Sequence, residues 1–524
     1  MLKIKLIIIS IIIICFFRSP IEVETAKILA ISGLPQPNKY AAIISILNGL
    51  NEKGHQITLV IRNTKHAQLH ENIRQILIRE NEEIYKEFLA FSTSILDKSF
   101  FKNLQSLFRK GIFITADIIN NPSVKEIMQH EQFDLIIFET FMVEALYGLG
   151  EYFNAPMVGM SSFGTTTALD ALVGNISPIS FIPTLFIQHL FDVTFWHRCL
   201  NVALNVVDRM IFDILYLPHQ RRLYEEHFPN ATLTFEQVNR NFSLVLVNQH
   251  FSLNFPRPYV PNMIEMAGVH IDSKLELLPL NVQYFLDNSP QGVIYFYWGE
   301  QTFNVDLNIS ALLLNLFKNL NFKVIFNIDN KPPQEKQQYK HILQISNTSH
   351  HSILAHPNVK LSIITGDLLN VIDTVYFAKP VLGIPTIAHQ HFNINMAIKM
   401  GYGLGLKLQQ LNETMLKNTI LELLNNPLYT QKVKELSRVF RDQPMTPKET
   451  VLFWIEYVLR HDGALHLRNK GRFLNFWQFY NVDVILAFTG AFGLIVFCIW
   501  ILMKCMYFLW CRSKINLQIK VKSN

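Results

Sequence analysis

The stretch AKILAISGLPQPNKYAAIISILNGLNEKGHQITLVIR, residues 26–62, decides the fold. Its opening AKILAIS is a short apolar run closed by Gly33 and Pro35, the pattern of a buried strand. Tyr40 to Lys53 reads as a helix, and Gly54 stands where a helix C-terminal cap is expected. QITLVIR, residues 56–62, is the next strand. Strand, helix and strand in this order open a doubly wound sheet, whose ligands bind beyond the carboxyl ends of the strands. FDLIIFE, residues 133–139, adds a central strand and sets Glu139 at that edge.

The pattern restarts in the second half. GVIYFYWG (292–299), FKVIFNI (322–328), VKLSIIT (359–365) and KPVLGIP (379–385) are apolar runs punctuated by Gly and Pro, with helical segments at 309–320 and 368–378. The fold class is therefore α/β: two doubly wound, Rossmann-like domains facing across a cleft. Prolines at 256, 258, 261, 279 and 290 mark the junction. An N-terminal domain over 27–270, a linker over 271–290 and a C-terminal domain over 291–445 follow, then a helical return and juxtamembrane segment over 446–483.

Both ends carry membrane signals. Lys3 and Lys5 precede the apolar stretch Leu6 to Phe17, so residues 1–26 read as a signal peptide. VILAFTGAFGLIVFCIWILM, residues 484–503, has the length of a bilayer-crossing helix and no charge. Lys504, Arg512, Lys514, Lys520 and Lys522 follow without an acid, which predicts a cytosolic tail over 504–524 and a lumenal body. The end KVKSN matches the dilysine pattern of endoplasmic reticulum retrieval. Sequons at Asn175, Asn230, Asn241, Asn308, Asn347 and Asn412 agree with a lumenal body.

Composition narrows the classes. The chain has 524 residues, 49% hydrophobic and only 17% charged, too apolar for disorder and long enough for more than one core. Its 47 basic and 41 acidic residues give a net charge of +6, whose one cluster is the tail, so no nucleic-acid partner is expected. Of five cysteines only Cys199 lies in the body, which excludes a disulfide or Cys-based zinc site there. His350, His351, His356, His389 and His391 form a histidine-rich set. With no HExxH and no closely spaced carboxylate, no metal is expected. GxSxG is absent as well.

HPNVKLSIITGDLLNVIDTVYFAKPVLGIPTIAHQHFNINMAIKMGYGL, residues 356–404, resembles the donor-binding signature of the UDP-glycosyltransferases, the membrane-bound glucuronosyl- and glucosyltransferases of animals. FDLIIFETFMVEALYGLGEYFNAPMVGMSSFG, residues 133–164, is similar to the insect branch, and with both membrane signals the likeness covers essentially the whole chain. It implies a GT-B arrangement with a UDP-sugar in the C-terminal domain and a lipophilic acceptor in the N-terminal one. It also implies inverting transfer, no cofactor beyond the UDP-sugar co-substrate, and membrane anchoring with pairing to itself or to related transferases.

The resemblance implies a histidine base held by an acid, because a neutral hydroxyl attacks an anomeric carbon poorly until its proton is removed. Here the histidine slot holds Lys39, or Ala41 on the proline alignment, and Glu139 is the orienting acid. A Lys39–Glu139 ion pair is expected, and His55, in the turn after the helix, reads as structural. The family's uridine-binding tryptophan, proline and glutamine are Asn347, Ser349 and His350. Its Thr-His-Gly-Gly is Ile364, Thr365, Gly366 and Asp367, with Asn370 in the next helix turn; Asp367 is expected to cap that helix. Asp373 replaces the ribose-binding glutamate, and His389-Gln390 replaces the sugar-binding Asp-Gln pair, while Gln390 and Asn393 match the family. The phosphate loop carries Tyr297, Trp298 and Glu300 around Gly299, either obstructing phosphate or packing in an altered loop. Two functions follow: the family transfer, or a catalytically degenerate member that binds a lipophilic ligand or modulates an active transferase.

Overall fold

The computed structural model describes residues 25–33, 37–62, 69–78, 100–183, 192–254, 256–272, 274–298, 307–320, 322–327, 340–345, 348–386 and 388–522. The first sheet orders its strands β3-β2-β1-β4-β5-β6-β7. They are β1 (Lys27–Ser32), β2 (Gln56–Ile61), β3 (Arg74–Leu77), β4 (Leu135–Glu139), β5 (Met157–Ser161), β6 (Phe242–Val247) and β7 (Met263–Glu265). Every pairing is parallel, and register runs Leu29↔Thr58 on one side of β1 and Leu29↔Ile136 on the other.

Parallel strands covered on both faces must be apolar throughout, and alternate residues must enter separate cores. Leu29, Ile31, Ile136 and Phe138 join one core with Ile114 and Ile118. Ile28, Ala30, Leu135 and Ile137 join the other, with Ile43, Ile46 and Leu47. These last three lie on helix α1 (Pro37–Glu52), and Ile114 and Ile118 lie on α2 (Phe100–Asn120). Beyond α1, Gly54 adopts φ +93 and the His55 amide donates to the Leu50 carbonyl at 3.2 Å, a glycine-terminated cap.

The second sheet orders its strands β10-β9-β8-β11-β12-β13, again all parallel. Its strands are β8 (Val293–Tyr297), β9 (Val324–Asn327), β10 (Ile342–Ile345), β11 (Val359–Ile364), β12 (Val381–Gly383) and β13 (Gly403–Gly405). Helices α3 (His350–Ala355), α4 (Leu368–Tyr376) and α5 (Ala388–Lys399) follow β10, β11 and β12. Helix α6 (Pro427–Arg441) packs Val433 and Phe440 beside Val371 and Val375 of α4. Helix α7 (Pro447–Arg460) returns to the first sheet, where Val451, Leu452 and Ile455 share a core with Leu47 and Leu50.

Residues 470–524 form a separate compact unit. Its helix α8 (Val482–Lys522) holds a span, Val482–Arg512, in which an 18-residue window has mean hydropathy 2.6 and is not buried. Phe488, Phe492, Leu494 and Trp500 are all exposed around it. An apolar helix exposed on every side is built for lipid, so among the described residues one helix, at the C-terminal end, spans a membrane.

Candidate functional site

In each sheet the chain order reverses beside the strand that opens the sheet, between β1 and β4 in the first and between β8 and β11 in the second. Carboxyl ends at such a switch point splay their loops apart and leave a crevice for ligand.

On the first sheet that edge holds Glu139, which is 1% exposed. Ser162, just past β5, donates to its carboxylate from the backbone amide at 3.0 Å and from Oγ at 3.1 Å. The side chain of Lys39 lies outside the described residues, and so does the ion pair expected for it. Five residues on, Glu144 is buried, and burial pushes its carboxyl up to about 7, the titration range of a general base. His55 sits at the amino end of β2, at the opposite edge of the sheet, where the Ala26 amide donates to its Nδ1 at 3.2 Å.

On the second sheet, Gly366 turns the chain from β11 into α4 with φ +101. A Cβ there would lie 2.6 Å from Ile394 Cγ1 of α5, so a residue without a side chain is required. Asp367 occupies the N-cap position, yet its carboxylate makes no cap bond to the helix backbone, which corrects the expectation of an ordinary cap. Side chains claim it instead. Gln390 Nε2 donates to Asp367 Oδ2 at 3.2 Å, and Thr365 Oγ1 stands 3.4 Å from the same oxygen. Gln390 is itself tied down, with Oε1 accepting from the Thr386 amide at 2.9 Å and from Thr386 Oγ1 at 3.0 Å. Asn393 Nδ2 donates to the Gly366 carbonyl at 2.9 Å. Asn370 is buried, and its Nδ2 meets no acceptor among the described residues.

Trp298 is 3% exposed and stacks on Phe296 with ring centroids 5.5 Å apart, inside the core between sheet and helices. It is a packing residue. Tyr295 and Tyr297 alternate to the other face, where Tyr297 lies 4.1 Å from the His350 ring. Gly299, Glu300, Asn347 and the side chain of His389 lie outside the described residues.

The densest chemistry gathers on Asp373, in α4. His270 Nε2 lies 2.8 Å from its Oδ1, His351 Nε2 lies 3.2 Å from the same oxygen, and His350 Nε2 lies 3.4 Å from Oδ2. Burial opposes the carboxylate's charge, but His270 and His351 outweigh it and hold Asp373 well below the usual carboxylate range. Burial likewise opposes a charge on His351, and Asp373 reverses that and holds the imidazole above its ordinary value. For His350 burial wins, and its pKa is lowered. The other nitrogen of His350, Nδ1, hydrogen-bonds Tyr295 Oη at 2.9 Å, which in turn accepts from Asn327 Nδ2 at 3.0 Å. Of the histidine-rich set seen in the sequence, His350 and His351 join this group, whereas His356 turns to Asp287 at 3.1 Å. His270 was invisible to sequence reasoning: it stands 103 residues from its partner, on a segment with no local motif.

Two parallel sheets, each with a switch point, followed by a membrane-spanning helix, make a double Rossmann arrangement of the GT-B kind. Solved structures share the two-sheet fold. The calicheamicin glycosyltransferase CalG4 superposes with a TM-score of 0.56 at 14% identity, over 83% of this chain and 99% of that one. The spinosyn forosaminyltransferase SpnP gives 0.55 at 14%, over 83% and 100%. In sequence, UDP-glycosyltransferase UGT4 of Dactylopius coccus is 30% identical over 400 residues, 73% of this chain and 76% of its own length. The human UDP-glucuronosyltransferase 2B15 is 26% identical over 496 residues, 88% and 91% of the two chains. The family model described as UDP-glucoronosyl and UDP-glucosyl transferase matches residues 27–521. The chain belongs to that family, and the similarity to Dactylopius coccus proteins agrees with the insect branch.

Proposed function

We propose that this protein transfers a sugar, with inversion, from a UDP-sugar held at the carboxyl edge of the second sheet to a small lipophilic acceptor at the edge of the first. The family match over residues 27–521 carries this reading. Gly366 and the first-turn amides of α4, which Asp367 leaves uncapped, supply an anion-binding terminus for the diphosphate. Glu139 and Glu144 supply carboxylates behind the acceptor edge. The apolar helix and the basic tail ending in Lys520 and Lys522 support a single-pass protein of the endoplasmic reticulum with a lumenal body and a retrieved tail.

One observation favours a second reading. The Asp373 carboxylate, at the slot assigned to ribose, is already engaged by His270, His350 and His351, and Asp367 adds a buried acid beside the diphosphate position. In this reading the chain is catalytically silent and keeps the N-terminal cleft for a lipophilic molecule or a partner transferase.

Calorimetric titration of the full chain in detergent with UDP and UDP-glucose separates the two, using an Asn347→Trp, Asp367→Gly, His389→Asp variant as control. Micromolar binding by the unaltered chain supports transfer and directs attention to the acceptor. Binding recovered only in the variant sinks it and supports the silent reading.

A further inference from the structure

Imidazole nitrogens and a carboxylate that converge without other partners form a ligand set in search of a cation. His270 Nε2, His351 Nε2 and an Asp373 oxygen all lie within 4.8 Å of one another. Ligands about 2.0–2.2 Å from a shared tetrahedral centre stand roughly 3.3–3.6 Å apart, so the 2.8 and 3.2 Å separations here need little adjustment. His350 stands outside this triad, on the other side of the carboxylate, with Nε2 3.4 Å from Oδ2.

Three features separate this group from an ordinary buried ion pair. His270 and Asp373 have side chains only 3% exposed, and three imidazoles converge on the one carboxylate. The Nε2 of His350 is buried and makes no hydrogen bond within normal geometry among the described residues. Its Nδ1 is held by Tyr295, itself bonded by Asn327, which fixes the ring beside the carboxylate. Nitrogen predominates and no sulfur is present, which selects Zn²⁺ or a neighbouring transition metal over Mg²⁺ or Ca²⁺.

We propose that His270, His351 and Asp373 bind one divalent transition-metal ion of the Zn²⁺ class, with the fourth position taken by water or another small ligand. The donors come from two parts of the chain. His270 follows β7 at the end of the first sheet, while the others lie on α3 and α4 of the second. A bound ion therefore clips the crossover between the sheets to the donor domain, at the carboxylate otherwise assigned to ribose, and competes with a nucleotide there. The assignment rests on these side chains alone and not on either reading of the donor cleft.

The test uses the full chain in detergent, stripped with chelator and titrated with Zn²⁺ and Co²⁺ without nucleotide. Expected are one ion per chain by elemental analysis, visible d–d absorption of four-coordinate Co²⁺, and a rise in Tm on Zn²⁺ addition. His270→Ala and His351→Gln should each weaken binding more than about 100-fold, beyond what outer-shell changes cost. His356→Ala, outside the cluster, should leave it unchanged. His351 is partly exposed, so its variant is expected to fold where an Asp373 variant does not. Absence of the Co²⁺ band with no Zn²⁺-dependent change in Tm overturns the proposal, as does equal affinity in the His270 and His351 variants. Because no nucleotide is added, failure of UDP binding leaves this result unaffected.

Discussion

His270 Nε2 and Asp373 Oδ1 are 2.8 Å apart although 103 residues separate them in the chain. One follows the last strand of the first sheet and the other lies on a helix of the second, so their contact forms only when both sheets are assembled. It places a buried charge where the crossover meets the second sheet's helices. Neighbouring contacts of the same junction yield further expectations.

His250 packs against Phe440 of α6 with ring centroids 4.5 Å apart, and burial lowers its pKa to about 4. The unfolded imidazole titrates near 6.5, so between about 6.5 and 4 the unfolded chain binds the extra proton. Stability from the neutral ring is complete above the higher value and is lost as pH falls through the lower one. A melting series from pH 7 to about 4 should show this loss, and His250→Gln should flatten that limb.

Arg257 and Asp170 form a buried ion pair, with side chains 4% and 3% exposed. Burial raises the Asp170 pKa, and Arg257 opposes it. Arg257→Met strands the carboxylate and should cost about 3–5 kcal/mol. Replacing both partners with apolar residues should cost clearly less. Chemical denaturation of the single and double variants measures the difference, and equal losses would contradict the pairing.

Gly366→Ala should destabilise the turn by more than about 1 kcal/mol, because alanine meets both a positive φ and the Ile394 side chain. Adding Ile394→Ala, which removes Cγ1 and Cδ1, should recover only the steric part relative to Ile394→Ala alone. Melting temperatures of the single and double variants apportion the two.

Asn175 is buried, donating to Asp170 at 2.8 Å and accepting from the Val260 amide at 3.0 Å, whereas Asn230 and Asn412 are exposed. With the lumenal body proposed above, glycopeptide mapping should find glycan at Asn230 and Asn412 and a bare Asn175. A glycan at Asn175 in folded protein would overturn the placement of that side chain.

The two sheets were legible because their strands are runs of consecutive apolar residues ended by Gly or Pro, a pattern parallel strands require. FDLIIFE and VKLSIIT are strands in the structure within two residues of their expected limits. The short β7 and β13, of three residues each, carry too few apolar positions to stand out. The apolar span at 484–503 needed no tertiary information, since crossing a membrane depends on length and composition alone; the helix itself runs over Val482–Lys522.

The site divides differently. The strands and the turn at Gly366 follow from local pattern, and they put Thr365, Gly366 and Asp367 at the carboxyl edge of the second sheet. What each side chain does there depended on groups distant in sequence: Gln390 drew Asp367 away from its helix, and Trp298 entered the core. The grouping of His270, His350 and His351 on Asp373 was decided by tertiary structure alone. Local periodicity records which face of an element is buried, but hydrogen bonds and ion pairs between elements depend on distances set only when those faces pack. The amino-acid sequence by itself determined two wound sheets and a membrane anchor, and the packing of those sheets decided which polar groups meet.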